Sequence, residues 1–189
     1  MAAPDPHAEE GRYGQHRAPW KKGSFHAAPL VSDARCDVVI VGGGITGLTA
    51  ALALLDRGRA VIVLEALEVG GGTTGLSTGK VTSQHGVRYR DLIRRHGQAV
   101  ARRYASRAQA AVRTVGALVD EHAIDCQPRE VASFLHTDRG AYVDEVRSEG
   151  EAAASLGLPA TLVDDAPVPY PVRTAVRFTD QLEIDPARY

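Results

Sequence analysis

At 189 residues, with 44% hydrophobic and 24% charged residues and a formal net charge of −1, the chain has an ordinary globular composition. It has room for one core, or for one core and part of a second. Its first residues, MAAPDPHAEEGRYG, carry acids and prolines where a signal peptide needs a basic start and an apolar centre. The two cysteines, Cys36 and Cys126, belong to no C-x-x-C or Cys/His metal spacing, which points to reduced thiols, a cytoplasmic location and no metal.

In chain order, residues 1–35 are rich in Pro, Gly, His and charge and are expected to form an extended arm, pinned to the body by Trp20 and Phe25. Residues 36–65, CDVVIVGGGITGLTAALALLDRGRAVIVLE, read as a complete dinucleotide-binding βαβ unit. An apolar strand over 37–41 runs into Gly42, Gly44 and Gly47 in G-x-G-x-x-G spacing. A helix follows over about 46–57, then a second apolar strand over 60–64, closed by Glu65. Gly42 allows the turn out of the strand, Gly44 lets backbone approach a pyrophosphate, and Gly47 lets helix and sheet pack closely. The helix start offers N–H groups and a positive dipole end to phosphate. Glu65 is placed to accept hydrogen bonds from an adenosine ribose. These glycines and threonines interrupt the apolar stretch over 38–55, and the βα unit accounts for it without a membrane span.

Residues 66–87, ALEVGGGTTGLSTGKVTSQHGV, read as a long Gly/Thr/Ser-rich loop, and loops of that length are usually functional. Gly70, Gly71 and Gly72 permit positive φ and N–H groups that line an anion. Thr73, Thr74, Ser77 and Thr78 offer hydroxyls, and Lys80 offers a positive charge. A Walker A loop is excluded, because Thr74 and Val81 stand where it needs Gly and Ser or Thr. His85 reads as a hydrogen-bonded structural residue.

Residues 89–96 form a short helix punctuated by Gly97. A longer one follows, whose stripe of Val100, Tyr104, Ala108, Ala111, Val115, Leu118 and His122, widened by Val112 and Val119, is expected to face the core. The eight arginines between Arg88 and Arg113, against the single acid Asp91, lack interleaved aromatics and read as a solvated helix face rather than a nucleic-acid surface. Short strands are expected at 124–127 and 131–137 around a turn at 128–130. A helix over about 139–156 is capped by Gly157, and strands follow at 160–163 and 174–179. Asp185 as N-cap with Pro186 at the first helical position opens a helix one turn before the last residue, so the chain reads as truncated.

From residue 36 to residue 189 the chain resembles the N-terminal half of FAD-dependent oxidoreductases of the D-amino acid oxidase/glycine oxidase type. It is most similar to the bacterial subgroup with a C-terminal Rieske iron–sulfur domain. The segments DVVIVGGGITGLTAAL, VGGGTTGLSTGKVTSQHG, ALVDEHAIDC, LGLPATLVDD and TDQLEIDPARY carry the resemblance. It implies an α/β fold: a Rossmann-like FAD-binding βαβ unit with its flavin loop over 36–88, and part of an α+β substrate domain over 89–189, incomplete. It implies FAD held by Gly42, Gly43, Gly44, Ile45, Thr46, Gly47 and Glu65, and by Gly72, Thr73, Thr74, Thr78, Gly79 and Lys80 of the loop. Some related enzymes attach FAD covalently through a histidine aligned near Leu76, and leucine makes no such bond, so noncovalent FAD is expected.

The activity so implied is oxidation of the C–N bond of an amine or amino acid by hydride transfer to flavin, with electrons passing to oxygen, an electron-acceptor protein or a Rieske domain. No catalytic residue is identified, because the flavin carries the chemistry. Two alternatives stay open. One is a non-catalytic or incomplete dinucleotide-binding fragment; under the enzyme reading too, the 189 residues alone are expected to be a poor flavoprotein and catalytically inactive. The other is an NAD(P)-dependent oxidoreductase, which Glu65 alone would permit.

Overall fold

A computed structural model describes residues 27–189 together with Ala18 and Trp20. Phe25 lies outside the described residues. The chain divides into two compact units, one ending at Thr78 and the other beginning at Gly79.

The first unit is the βαβ element. Strand β1 (Val38–Val41), helix α1 (Ile45–Leu55) and strand β2 (Val61–Leu64) follow one another, and the strands pair in parallel from Val38↔Val61 to Val41↔Leu64. Residues 38–41 and 61–64 of the expected apolar segments are the strands, with Asp37 and Ala60 just outside them, and the helix begins and ends slightly sooner than its sequence pattern indicates. The β-branched run suits the pleated strand, and Gly58, at φ +70°, ends the turn that returns the chain to β2. The indole Nε1 of Trp20 donates to the Ser77 carbonyl at 2.8 Å, so the arm is tied to the body at that residue.

The second unit is a four-stranded antiparallel sheet with two helices. Strand β6 (Thr174–Glu183) is its spine. Strand β4 (Arg129–Thr137) runs antiparallel along its length, while β3 (Lys80–Val81) pairs near one end and β5 (Ala160–Val163) nearer the other. Helix α2 (Tyr89–Glu121) and helix α3 (Val143–Ser155, after a 3₁₀ turn at Gly140–Tyr142) join this sheet in a core containing Tyr89, Ala101, Ala105, Val146, Ala153 and Phe178. Gly97 breaks α2 with φ +76°, ψ 164°, where the sequence punctuates it. Gly157, at φ +86°, closes α3.

Several sequence expectations need correction here. Lys80 and Val81, expected in the loop, form β3 because β6 offers them partners at Glu183 and Leu182. Residues 124–127 form no strand. Ala123 (φ +49°) and Gln127 (φ +52°) turn the backbone at both ends, although the Cys126 carbonyl still accepts the Asp185 N–H at 2.7 Å. Arg129 and Glu130, expected in a turn, begin β4 instead. Their partners are again Glu183 and Leu182, and the Arg129–Glu183 ion pair closes at 2.9 Å. Strand β6 continues past Thr179 by way of Asp180 at φ +56°.

The expected stripe of α2 holds toward its C-terminal end, where Val112, Leu118 and Val119 are buried, but Val100, Tyr104 and Ala111 are exposed and Ala101, Ala105 and Gln109 are buried instead. Hydrophobicity favours Val and Tyr, but close approach to the sheet selects small side chains. A Cβ at Gly116 would lie 3.3 Å from Leu182 Cδ1. Arg94, Arg95, Arg102, Arg103, Arg107 and Arg113 are exposed, as a solvated face requires.

At the chain's last residues Asp185 Oδ1 accepts the N–H groups of Ala187 (2.9 Å) and Arg188 (3.3 Å), and the Tyr189 N–H reaches the Asp185 carbonyl (3.1 Å). That is the bonding of an N-cap and first helical turn. Cys36 is half-buried and Cys126 buried, both as free thiols.

Candidate cofactor site

The first unit brings the fingerprint residues together around the start of α1. Gly42 leaves β1 at φ +106°, a conformation side chains resist, and its N–H donates to the Leu64 carbonyl at 2.7 Å. Gly47 shows why that position must lack a side chain. A Cβ there would lie 2.1 Å from the Gly42 carbonyl oxygen and 3.2 Å from Ile40 Cγ2. Gly44 is the N-cap of α1, extended at ψ 177°, and supplies no side-chain cap.

That cap comes from elsewhere. Thr74, in the loop after β2, places Oγ1 2.9 Å from the Ile45 N–H and accepts it. The same loop is stitched to the fingerprint by Gly70 N–H to the Gly43 carbonyl (2.9 Å), and it is closed internally by Gly75 N–H to the Gly70 carbonyl (2.8 Å). A Cβ at Gly75 would lie 2.7 Å from that same Gly70 oxygen, so the loop can fold this tightly only with glycine there.

Glu65 directly follows β2, with both oxygens engaged. Oε2 accepts the Gly43 N–H at 2.7 Å and Oε1 the Leu67 N–H at 2.9 Å. The Leu67 and Gly43 N–H groups hold its carboxyl below the usual carboxylate range, so Glu65 is charged near neutral pH. A carboxylate accepts about four hydrogen bonds, and two protein donors leave capacity for ribose hydroxyls.

The remaining loop residues divide between the units. Gly72, Thr73 and Thr78 are exposed in the first unit, and a Cβ at Gly72 would meet nothing within 4 Å. Gly79 belongs to the second unit, buried at φ +76°, with its carbonyl accepting the Ile184 N–H at 2.9 Å. Lys80 follows it, exposed, on β3. One expectation is overturned. Of Gly70, Gly71 and Gly72, only Gly70 adopts positive φ, and the N–H groups of Gly70 and Gly71 are spent on the carbonyls of Gly43 and Glu68, which closes the loop rather than leaving them to line an anion.

Sequence reasoning missed the buried polar groups of the second unit. Glu149 is fully buried. Its Oε1 accepts the N–H groups of Arg88 (2.9 Å) and Tyr89 (2.7 Å), and its Oε2 that of Arg90 (2.9 Å), so it caps α2 from α3. A signal was present: Glu149 falls between Val146 and Ala153 on the apolar face of α3, where a charge needs an explanation. Ser83 is also fully buried. Its N–H donates to Gln181 Oε1 (2.6 Å), its hydroxyl to Gln109 Oε1 (2.7 Å), and its carbonyl accepts the Tyr89 hydroxyl. Burial pushes the Tyr89 phenol well above its usual range. His85 Nδ1 pairs with the Tyr104 hydroxyl at 2.9 Å, the structural part expected of it.

Among the described residues no group of His, Cys, Asp and Glu could hold a metal ion, and no helix is long and apolar enough to cross a membrane. The family model of FAD dependent oxidoreductases matches residues 37–189. The chain belongs to this family. FAD is the family's cofactor, and the Rossmann-like α/β fold is common to it and to its solved neighbours.

Among similar proteins, YhfW of Bacillus subtilis (strain 168), which carries the name of a Rieske 2Fe-2S iron–sulfur protein, is 39% identical over 160 residues. That stretch covers 85% of this chain and 31% of YhfW. Gamma-glutamylputrescine oxidoreductase of Escherichia coli (strain K12) is 32% identical over 100 residues, covering 53% of this chain and 24% of the relative. Glycine oxidase from Geobacillus kaustophilus shares the fold with a TM-score of 0.60 at 17% identity, over 81% of this chain and 41% of that structure. L-amino acid deaminase from Proteus vulgaris does so with a TM-score of 0.61 at 19% identity, over 88% and 38%. The chain thus spans about a third or less of the length of these two curated relatives.

Proposed function

We propose that this chain is the FAD-binding part of a flavoenzyme that oxidises the C–N bond of an amine or amino acid. The observation that carries this reading is the joint geometry of Gly44, Thr74 and Glu65 at the start of α1. Gly44 leaves no side chain in front of the helix N-terminus. Thr74, having accepted the Ile45 N–H, keeps its own O–H to donate outward to a phosphate oxygen, since a hydroxyl accepts and donates at once. Glu65 presents a charged acceptor to the adenosine ribose. Gly42, Gly43, Ile45, Thr46 and Gly47 form the turn and helix start beneath the pyrophosphate. Gly72, Thr73 and Thr78, exposed in the first unit, contribute loop contacts.

FAD held there noncovalently, Leu76 offering no point of attachment, would accept the hydride from the carbon bearing the amine. The imine product is hydrolysed by water to a carbonyl compound and ammonia or an amine. The two electrons leave to oxygen or to an electron-acceptor protein, and the name of YhfW supports a Rieske domain as one such acceptor. The names of glycine oxidase and gamma-glutamylputrescine oxidoreductase support the substrate class, and the two free thiols support a cytoplasmic location.

Titrating the 189-residue chain with FAD, ADP, FMN and NADH tests the site. FAD and ADP should bind and FMN should not, because the first unit contacts the adenosine diphosphate half. Equal binding of FMN, or no binding of FAD and ADP, would overturn the reading, and tighter binding of NADH than FAD would favour the nicotinamide alternative.

Gly44→Val should abolish FAD and ADP binding while far-UV circular dichroism stays unchanged. A Cβ at Gly44 meets only Thr74 Oγ1, at 3.3 Å, so the fold accommodates the change while the approach to the helix start is blocked.

Glu65→Ala should weaken FAD by roughly tenfold or more, the worth of hydrogen bonds to a charged acceptor. The pH dependence follows from its lowered pKa. A carboxyl depressed on folding contributes stability above its unfolded value near 4.5 and loses it as pH falls through the folded value. The Glu65→Ala variant should therefore be less stable than the parent at neutral pH, and the difference should vanish as acid protonates Glu65 in the folded parent.

A further inference from the structure

Trp20 makes a contact that the cofactor reading does not use. It is the only tryptophan of the chain. Residues 27–35, which precede β1, are exposed throughout and form no helix or strand, whereas Trp20, further toward the N-terminus, is half-buried. Its indole Nε1 donates to the Ser77 carbonyl at 2.8 Å, across fifty-seven positions of sequence.

Ser77 begins a short series of bonds that leads to the start of α1. Its N–H donates to the Thr74 carbonyl at 3.1 Å and closes a turn over 74–77. Thr74 Oγ1 in turn accepts the Ile45 N–H at 2.9 Å. The Gly70 N–H fixes the near end of this loop to the Gly43 carbonyl, and Trp20 holds its far end. All these residues belong to the first unit. A buried indole N–H needs some acceptor. Here the acceptor lies in the one turn that carries the helix-capping threonine.

We infer that Trp20 is a positioning residue for the cofactor site. It fixes the 74–77 turn, and so holds the Thr74 hydroxyl where it meets a phosphate oxygen of the nucleotide; the role rests on that phosphate contact, as the cofactor reading has it. A loop ordered before the nucleotide arrives lowers the cost of binding.

Calorimetric titration of the full chain with ADP tests the role. Trp20→Phe keeps an aromatic ring, removes the N–H donor and should weaken ADP about fivefold, the worth of one hydrogen bond. Its far-UV circular dichroism should match the parent. Trp20→Ala removes the ring as well and should weaken ADP further. Thr74→Val removes the hydroxyl through which Trp20 acts, so Trp20→Phe added to Thr74→Val should change ADP affinity by less than about twofold.

Fluorescence supplies a readout that a merely structural contact would not move. Linkage is reciprocal: order at Trp20 that favours ADP is itself favoured by ADP. Saturating ADP, which takes no excitation energy from indole, should therefore reduce the quenching of Trp20 by acrylamide, and reduce it less in Thr74→Val. Failure of the parent to bind ADP or FAD would overturn the cofactor reading and the role of Trp20 with it. Three results would overturn the role of Trp20 alone: parental affinity in both Trp20 variants, an undiminished Trp20→Phe effect in the Thr74→Val background, or acrylamide quenching indifferent to ADP.

Discussion

Gly47→Ala should destabilise the first unit by about 3 kcal/mol and remove FAD binding with it. Helix propensity alone predicts the opposite sign, because alanine in place of glycine inside a helix is worth up to about 1 kcal/mol. The packing decides. The new methyl would stand 2.1 Å from the Gly42 carbonyl oxygen, a backbone atom that no rotamer change can move. Either α1 lifts off β1 or the Gly42 turn opens, and both displace the helix start from Glu65 and Thr74. Chemical denaturation of the full chain, with Gly44→Ala as control, measures the difference. The control adds a methyl 3.3 Å from the end of the Thr74 side chain and should unfold close to the parent. Equal stabilities for Gly47→Ala and the parent would mean that helix and strand pack less closely than described.

Glu149→Ala should cost the second unit about 3 kcal/mol or more. The carboxylate is fully buried and accepts three N–H groups at the start of α2, which has no side-chain cap of its own. Alanine leaves those donors buried and unsatisfied at the positive end of a long helix. Glu149→Gln should fall between parent and alanine, keeping one acceptor oxygen but adding N–H donors beside donors. Asp91→Ala is the contrasting surface change. Its ion pairs with Arg90, Arg94 and Arg95 span 3.2–4.0 Å across exposed or half-exposed side chains and should contribute less than about 1 kcal/mol. Thermal unfolding of the three variants orders them. If Glu149→Ala were no worse than Asp91→Ala, the α2 start would have to be satisfied by water.

The parts of the fold that were legible share one property: their cause is local. The glycine spacing at 42, 44 and 47, the β-branched runs on either side, the break at Gly97 and the cap at Gly157 each act within a few residues. Each stands in the structure where the chain indicates it. The same holds for the Asp185-Pro186 turn, whose capping bonds form between near neighbours.

What the chain alone did not disclose depends on partners distant in sequence. Arg129 and Glu130 are strand residues only because β6 lies beside them, and Lys80 and Val81 for the same reason. In the earlier part of α2 the core takes Ala101 and Ala105 in place of Val100 and Tyr104, which no hydrophobicity scale anticipates. Thr74 was legible as a loop hydroxyl but not as the cap of α1, twenty-nine positions before it.

By itself, then, the sequence determined the dinucleotide-type βαβ unit and its family, since turn chemistry and strand composition act through neighbouring residues. Only the tertiary structure decided which amides that loop closes, how Glu65 is held charged, and that Glu149 caps α2. Each of those is a hydrogen bond between segments that only the folded chain brings within 3 Å.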